Sequence, residues 1–307
     1  MHETNQHRPL SGIISVLQTP FTLAGEIDFE SLAKLIESAI EDGVHGFLAP
    51  AVASEVGKLS PIERLQLVGE IACVVNHRVP LIVGASSDNP EESQAMAARA
   101  IEVKADAYLV AVPLALYSQA DRIVPFFSTV APECDLPLVI QDLEWNGPGL
   151  TLEMIGRLKE ALPSLAGLKI ETVPAGPKYT AVREAFGDDF FIAGGWAVQQ
   201  WIEALDRGVD ALMPESSMIR VYAEILARYR DNRRDSALEL FRRLLPVLAY
   251  TNQEINTSIA FFKRLLVRRG IFRYDVMRTS SFAWDEYNSR IADELIDLYL
   301  ELESEIL

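Results

Sequence analysis

The chain has 307 residues, 49% hydrophobic, 8% aromatic and 23% charged, a length and composition that bury a large core and exclude disorder. Its 44 acidic residues against 28 basic ones leave a formal charge of −16. That field repels phosphate backbones and anionic lipid, arguing against nucleic-acid or membrane-surface partners, although a locally positive pocket still admits a small anionic ligand.

Residues 1–10 read as a polar tail; the stretch before Pro9 holds His2 and His7 and has no apolar signal core. No apolar run approaches the roughly eighteen residues needed to cross a bilayer. Short β-rich runs follow at 13–17, 46–48, 79–84, 107–112, 136–140, 166–170, 190–194 and 210–213. Amphipathic stretches with helix-start signals separate them. Asp28 and Thr151 are suited to cap two of these, and Ser60-Pro61-Ile62-Glu63 is a capping box with proline at the first helical position. Asn89-Pro90-Glu91-Glu92 repeats that design. Eight β-then-α units over 11–230 predict parallel strands with right-handed crossovers, either an open doubly wound sheet or a closed barrel. The count of eight and the even spacing favour an α/β fold of the (β/α)8 TIM-barrel type. No G-x-G-x-x-G or P-loop pattern supports the nucleotide-binding alternative. After residue 230 the strand signals stop. Three helices are expected over 235–250, 253–269 and 284–307, with Leu238, Leu240, Phe241, Leu244 and Leu245 at helical spacing, so 231–307 reads as a helical extension. Cys73 and Cys134 show no framework or metal spacing, and His45 and His77 are the internal histidines. Neither metal nor cofactor is expected, and a reduced, cytoplasmic setting is.

Reactive groups in such barrels lie at the C-terminal ends of the strands. In the run Ala166-Gly167-Leu168-Lys169-Ile170-Glu171, strand alternation turns Leu168 and Ile170 toward the helices and Lys169 and Glu171 into the barrel. A lysine there is costly without a task or a partner. Burial favours its neutral amine, a nucleophile that condenses with ketones to a Schiff base. A simple Lys169–Glu171 ion pair is the competing explanation.

Several motifs resemble the dihydrodipicolinate synthase and N-acetylneuraminate lyase family of Schiff-base barrels. They are Thr19-Pro20-Phe21, Ser54-Glu55 with Leu59 to Arg64, Gly167-Leu168-Lys169, the Gly194-Gly195 turn and the three terminal helices. The resemblance spans nearly the whole length. It implies a small 2-oxo acid substrate whose carbonyl bonds to Lys169, a homo-tetrameric assembly, and Gly194 and Met213 against the oxo-acid end.

The departures from the family pattern narrow the chemistry. The loop that usually supplies two hydroxyls to the substrate carboxylate reads Ala51-Val52-Ala53-Ser54-Glu55, leaving Ser54 and the backbone of Ala53 and Ser54 as candidate binders. Strand five ends in Gln141-Asp142 where the family places a proton-relaying tyrosine. An amide is neither acid nor base near neutrality, so Glu171 is the expected substitute, ahead of Asp142 and Glu144, with Gln141 positioning a hydroxyl or water. Tyr117 is a lone aromatic near strand four, and Gly147-Pro148-Gly149-Leu150 lacks the arginine with which the synthases hold their second substrate.

Gln141-Asp142 combined with Lys169-Ile170-Glu171-Thr172 is similar to the branch that dehydrates 2-keto-3-deoxy sugar acids, such as 2-keto-3-deoxy-L-arabonate. Dehydration is therefore the leading expectation. A pyruvate-dependent aldolase, N-acetylneuraminate lyase-like or dihydrodipicolinate synthase-like, is the first alternative. A catalytically silent oxo-acid-binding barrel is the second. Gly194-Gly195-Trp196 and Met213-Pro214-Glu215 complete the rim; glycines admit close ligand approach, Trp196 and Glu215 are candidates for shaping specificity, and these two loops can also hold a phosphorylated substrate.

Overall fold

The structure is a computed structural model and describes residues 9–131, 135–144, 147–195, 198–278 and 282–306. His2, His7, Cys134 and Trp196 lie outside the described residues. Eight parallel strands close on themselves in sequence order: β1 (Gly12–Val16), β2 (Gly46–Ala49), β3 (Leu81–Gly84), β4 (Ala107–Ala111), β5 (Leu138–Asp142), β6 (Leu165–Ile170), β7 (Phe191–Gly194) and β8 (Ala211–Leu212). The helices α1 (Phe29–Glu41), α2 (Pro61–Val75), α3 (Pro90–Glu102), α4 (Ile123–Val130), α5 (Leu152–Ala161), α6 (Gly176–Phe186), α7 (Trp201–Asp206) and α8 (Ile219–Arg230) follow the strands in turn. This is the expected TIM barrel.

The local signals act as their chemistry dictates. Asp28, Ser60, Asn89 and Thr151 all accept a backbone N–H from the first turn of the helix they start, and Ser60 and Glu63 complete the capping box. Strand alternation divides the core in two. Leu168 and Ile170 join the large layer between strands and helices. Ile14, Val16, Leu48, Leu109, Val139 and Met213 fill the barrel interior, with Leu10 packed against them. Strand boundaries differ from the sequence expectation where proline intervenes. β3 and β5 begin after Pro80 and Pro137, which have no N–H for the ladder. At its other end β5 runs on through Gln141 and Asp142, pairing Gln141 with Lys169 of β6.

Three further helices, α9 (Arg234–Thr251), α10 (Ile255–Arg268) and α11 (Glu286–Ser304), form the C-terminal extension. They grip the barrel through buried charge. Arg269, at the end of α10, donates to the Ser217 carbonyl (2.7 Å) and pairs with Asp42 (2.8 Å) and Glu303 (3.0 Å). Lys263, fully buried on α10, pairs with Glu55 of the β2 loop, donates to the Val276 carbonyl and lies over the Phe21 ring. No described helix is long and apolar enough to cross a membrane.

Candidate active site

A cleft lies at the C-terminal ends of the strands, where barrels of this kind place their active sites. Lys169 stands at its inner wall, only 4% exposed. Its Nζ is 3.2 Å from Glu171 Oε1. The other carboxylate oxygen of Glu171 accepts the Gln141 amide N–H, and the Glu171 backbone N–H donates to the Asp142 carbonyl at 2.9 Å, continuing the strand register past the end of β6. Lysine, acid and amide thus form one chain of contacts across β5 and β6. Gly195 is required beside it: a Cβ there would sit 2.1 Å from Glu171 Oε1 and 2.5 Å from Lys169 Cε. Ala53 and Met213 also line the cleft.

Two sequence expectations are revised by this geometry. Ser54 does not line the cleft. The tight turn at Val52–Ser54 directs its hydroxyl inward, where it accepts the Ala51 N–H (3.0 Å) and donates to the Leu17 carbonyl (2.5 Å), so it builds the loop instead of facing a ligand. Gly194 is also off the cleft. Strand parity turns it outward, and Tyr179 and Leu212 occupy the space a side chain would take. Gln141 lines the cleft and gives one amide N–H to Glu171, which positions the acid; that contact does not engage its second N–H or its carbonyl oxygen.

The other carboxylates named beside Glu171 are occupied elsewhere. Asp142 is fully buried outside the barrel, where it accepts from Tyr117 Oη (2.8 Å), Lys178 Nζ (2.5 Å) and the Leu150 N–H (2.9 Å). Burial together with that anion holds the Tyr117 phenol far above its ordinary range, and burial draws the Lys178 ammonium down. Tyr117 is thus an anchor for Asp142. Glu144 caps the Gly149 N–H at 2.8 Å.

The cleft also contains groups that sequence reasoning passed over or left open. Tyr222 of α8, Asn252 just after α9, and Ile255, Ser258 and Phe262 of α10 complete its wall, so the helical extension is part of the site. Glu215, beyond β8, is 8% exposed. Its Oε2 accepts Gln18 Nε2 (2.6 Å) and the Ser217 N–H (2.5 Å). Burial nevertheless outweighs these contacts and pushes its carboxyl up to about 7. A second buried lysine, Lys263, competes with Lys169 for the role of nucleophile on burial alone, which draws its ammonium down to about 8. It does not line the cleft and is enclosed by Glu55, Val276 and Phe21. Its position on the apolar face of α10 beside Phe262 and Leu266 was the available signal. Among the described residues no His, Cys, Asp and Glu side chains group as metal ligands.

A closed β/α barrel with a buried lysine against a carboxylate in its C-terminal cleft has the parts that a Schiff-base-forming lyase needs. Residues 9–288 match the dihydrodipicolinate synthetase family, and the chain belongs to that family. Curated relatives include a 4-hydroxy-tetrahydrodipicolinate synthase of Bartonella bacilliformis, 28% identical over 78% of this chain and 81% of the relative. They also include an L-2-keto-3-deoxyarabonate dehydratase of Azospirillum brasilense, 28% identical over 87% and 86%. Among solved structures, a sialic acid aldolase of Ruminococcus gnavus superimposes with a TM-score of 0.87 at 17% identity, covering 97% of this chain and 99% of that one. The dihydrodipicolinate synthase of Rhodopseudomonas palustris gives 0.85 at 20%, covering 94% and 97%. These last two likenesses concern the fold. The chain is thus a lyase of the Schiff-base type acting on small oxo acids.

Proposed function

We propose that the protein dehydrates a 2-keto-3-deoxy sugar acid through an iminium on Lys169. The observation that carries the reading is the Lys169–Glu171–Gln141 chain of contacts at the wall of the cleft. In this scheme the Lys169 ammonium passes its proton across the 3.2 Å pair to Glu171, and the free amine adds to C2 of the substrate. Glu171 returns that proton to the carbinolamine hydroxyl, which leaves as water, so the iminium forms beside a regenerated carboxylate. The iminium withdraws electrons from C3. Glu171 then takes a C3 proton, the enamine expels the C4 hydroxyl, and the same proton departs with it as a second water. A C5 proton then leaves and C3 regains one, which shifts the new double bond to a C4–C5 enol that tautomerises to the aldehyde; hydrolysis of the imine releases the product and restores Lys169. Gln141 is the positioning residue, holding Glu171 toward the lysine, while Ala53, Gly195 and Met213 bound the oxo-acid end.

The likeness to the Azospirillum dehydratase over most of both chains supports this choice. So does the lining of the cleft, which among the described residues includes no arginine for a second carboxylated substrate. Assembly as a homo-tetramer in the cytoplasm is proposed from the family resemblance, and light scattering on the purified protein tests the oligomer. Borohydride reduction with pyruvate followed by intact-mass measurement tests the covalent step. An adduct lost in Lys169→Ala is expected; no adduct on the unaltered protein refutes the scheme and leaves a non-catalytic oxo-acid-binding barrel. Incubation with 2-keto-3-deoxy-L-arabonate is expected to yield 2-oxoglutarate semialdehyde. Release of pyruvate and an aldehyde would instead establish aldol cleavage.

A further inference from the structure

Several buried polar atoms in the described structure have no hydrogen-bond partner, and three of them belong to residues that line the cleft: Glu215 Oε1, Tyr222 Oη and Asn252 Nδ2. Buried polar groups in folded proteins are nearly all paired with protein or ordered water, and these three belong to residues around one cavity. Glu215 and Tyr222 are held by other contacts of their side chains, and Asn252 by its backbone. Glu215 is fixed through Oε2 by Gln18 and Ser217. The Tyr222 ring stacks flat on Trp201, with centroids 4.5 Å apart and planes 2° apart, and the Asn252 N–H caps α9 through the Leu248 carbonyl. Burial, reinforced by the negative charge of Glu215, holds the Tyr222 phenol well above its ordinary range.

We propose that Glu215, Tyr222 and Asn252 form a hydroxyl-binding pole of the cleft that holds the polyhydroxylated tail of the substrate. The array offers an acceptor in the carboxylate, a donor in the amide and both in the phenol. An alcohol is likewise both donor and acceptor, so it can satisfy them together. A second carboxylate on the ligand would meet the Glu215 carboxylate, a like charge at low dielectric. The assignment of the tail to a sugar acid rests on the function proposed above, whereas the polar pole itself follows from the unpaired atoms.

The test is calorimetric titration at pH 8 in a Lys169→Ala background, which prevents covalent capture and turnover. The probes are 2-keto-3-deoxy-L-arabonate, 2-oxopentanoate of the same chain length without hydroxyls, and 2-oxoglutarate with a second carboxylate. The hydroxylated acid is expected to bind at least about thirtyfold more tightly than either of the others. Adding Tyr222→Phe or Glu215→Gln is expected to reduce that preference by about tenfold each. The glutamine must turn its oxygen toward the donors Gln18 and Ser217, so it presents NH2 to the cleft and loses the acceptor. Tyr222→Phe removes a hydroxyl that has no partner in the free protein, so its melting temperature should not fall. A preference unchanged by both substitutions, no preference at all, tightest binding of 2-oxoglutarate, or no measurable binding of any probe overturns the proposal. So does a Tyr222→Phe variant that melts lower with the preference intact. Borohydride trapping of the Lys169-containing protein is read separately: an adduct without the preference removes the hydroxyl pole alone, and the preference without an adduct removes the Schiff-base reading alone.

Discussion

Replacing Glu215 by glutamine keeps the shape of the neutral acid and removes its ability to ionise, which turns its burial into a measurable dependence of stability on pH. The carboxyl is pushed from an ordinary 4.5 to about 7 by desolvation, against the pull of Ser217, Gln18 and the more distant Arg269. Between those two values the folded chain binds more protons at this site than the unfolded chain does. Its contribution is therefore fully present below about pH 4.5 and is lost as pH rises through 7. A displacement from 4.5 to about 7 corresponds to about 3 kcal/mol at high pH, of which about 2.5 kcal/mol develops between pH 5 and pH 8. Glu215→Gln pays none of this penalty. Urea unfolding of both proteins at pH 5 and pH 8, followed by circular dichroism, gives a double difference in which other titrating groups cancel. The variant should gain about 2.5 kcal/mol on the parent over that interval. A gap that is constant with pH would refute the reasoning, because it would mean that Glu215 ionises in the folded chain as it does in water.

Gly195→Ala places a methyl group 2.1 Å from Glu171 Oε1 and 2.5 Å from Lys169 Cε; borohydride trapping of pyruvate should slow by about 100-fold or more, the cost of displacing reacting groups by an ångström. Ser54→Ala leaves the buried Ala51 N–H and Leu17 carbonyl without the hydroxyl, so chemical denaturation should show a loss of about 1–3 kcal/mol, with KM for the substrate changed less than about twofold because Ser54 does not line the cleft. Lys263→Ala strands the Glu55 carboxylate, whose partner is fully buried, and should cost about 3–5 kcal/mol. The double variant Lys263→Met, Glu55→Gln should recover most of that loss in the same denaturation assay, and a loss as large as the single variant's would contradict the charge argument.

Local rules carried much of the architecture. The two-residue alternation of Leu168, Lys169, Ile170 and Glu171 placed the lysine and the acid on the inner wall, because side-chain direction in a strand is set by backbone geometry alone. The same applies to the caps at Asp28, Ser60, Asn89 and Thr151, whose partners lie two or three residues away. Ser54 and Gly194 were misplaced for a related reason. Each lies one position from a cleft-lining neighbour, Ala53 and Gly195, and resemblance to a motif does not resolve which neighbour turns inward when a tight turn or a strand end intervenes.

The alternation of β-rich and amphipathic segments, read alone, determined eight β/α units, which favoured a barrel over an open sheet, together with a helical extension and an inward lysine with its acid. Tertiary structure decided what faces that pair. Glu215, Tyr222 and the Asn252 to Phe262 stretch belong to different elements, with nothing in their spacing to join them, and meet only because the extension folds back over the end of the barrel. The Lys263–Glu55 contact spans 208 positions for the same reason. Periodicity reports on neighbours along the chain, whereas desolvation and pairing depend on which groups close packing brings together after the chain has folded.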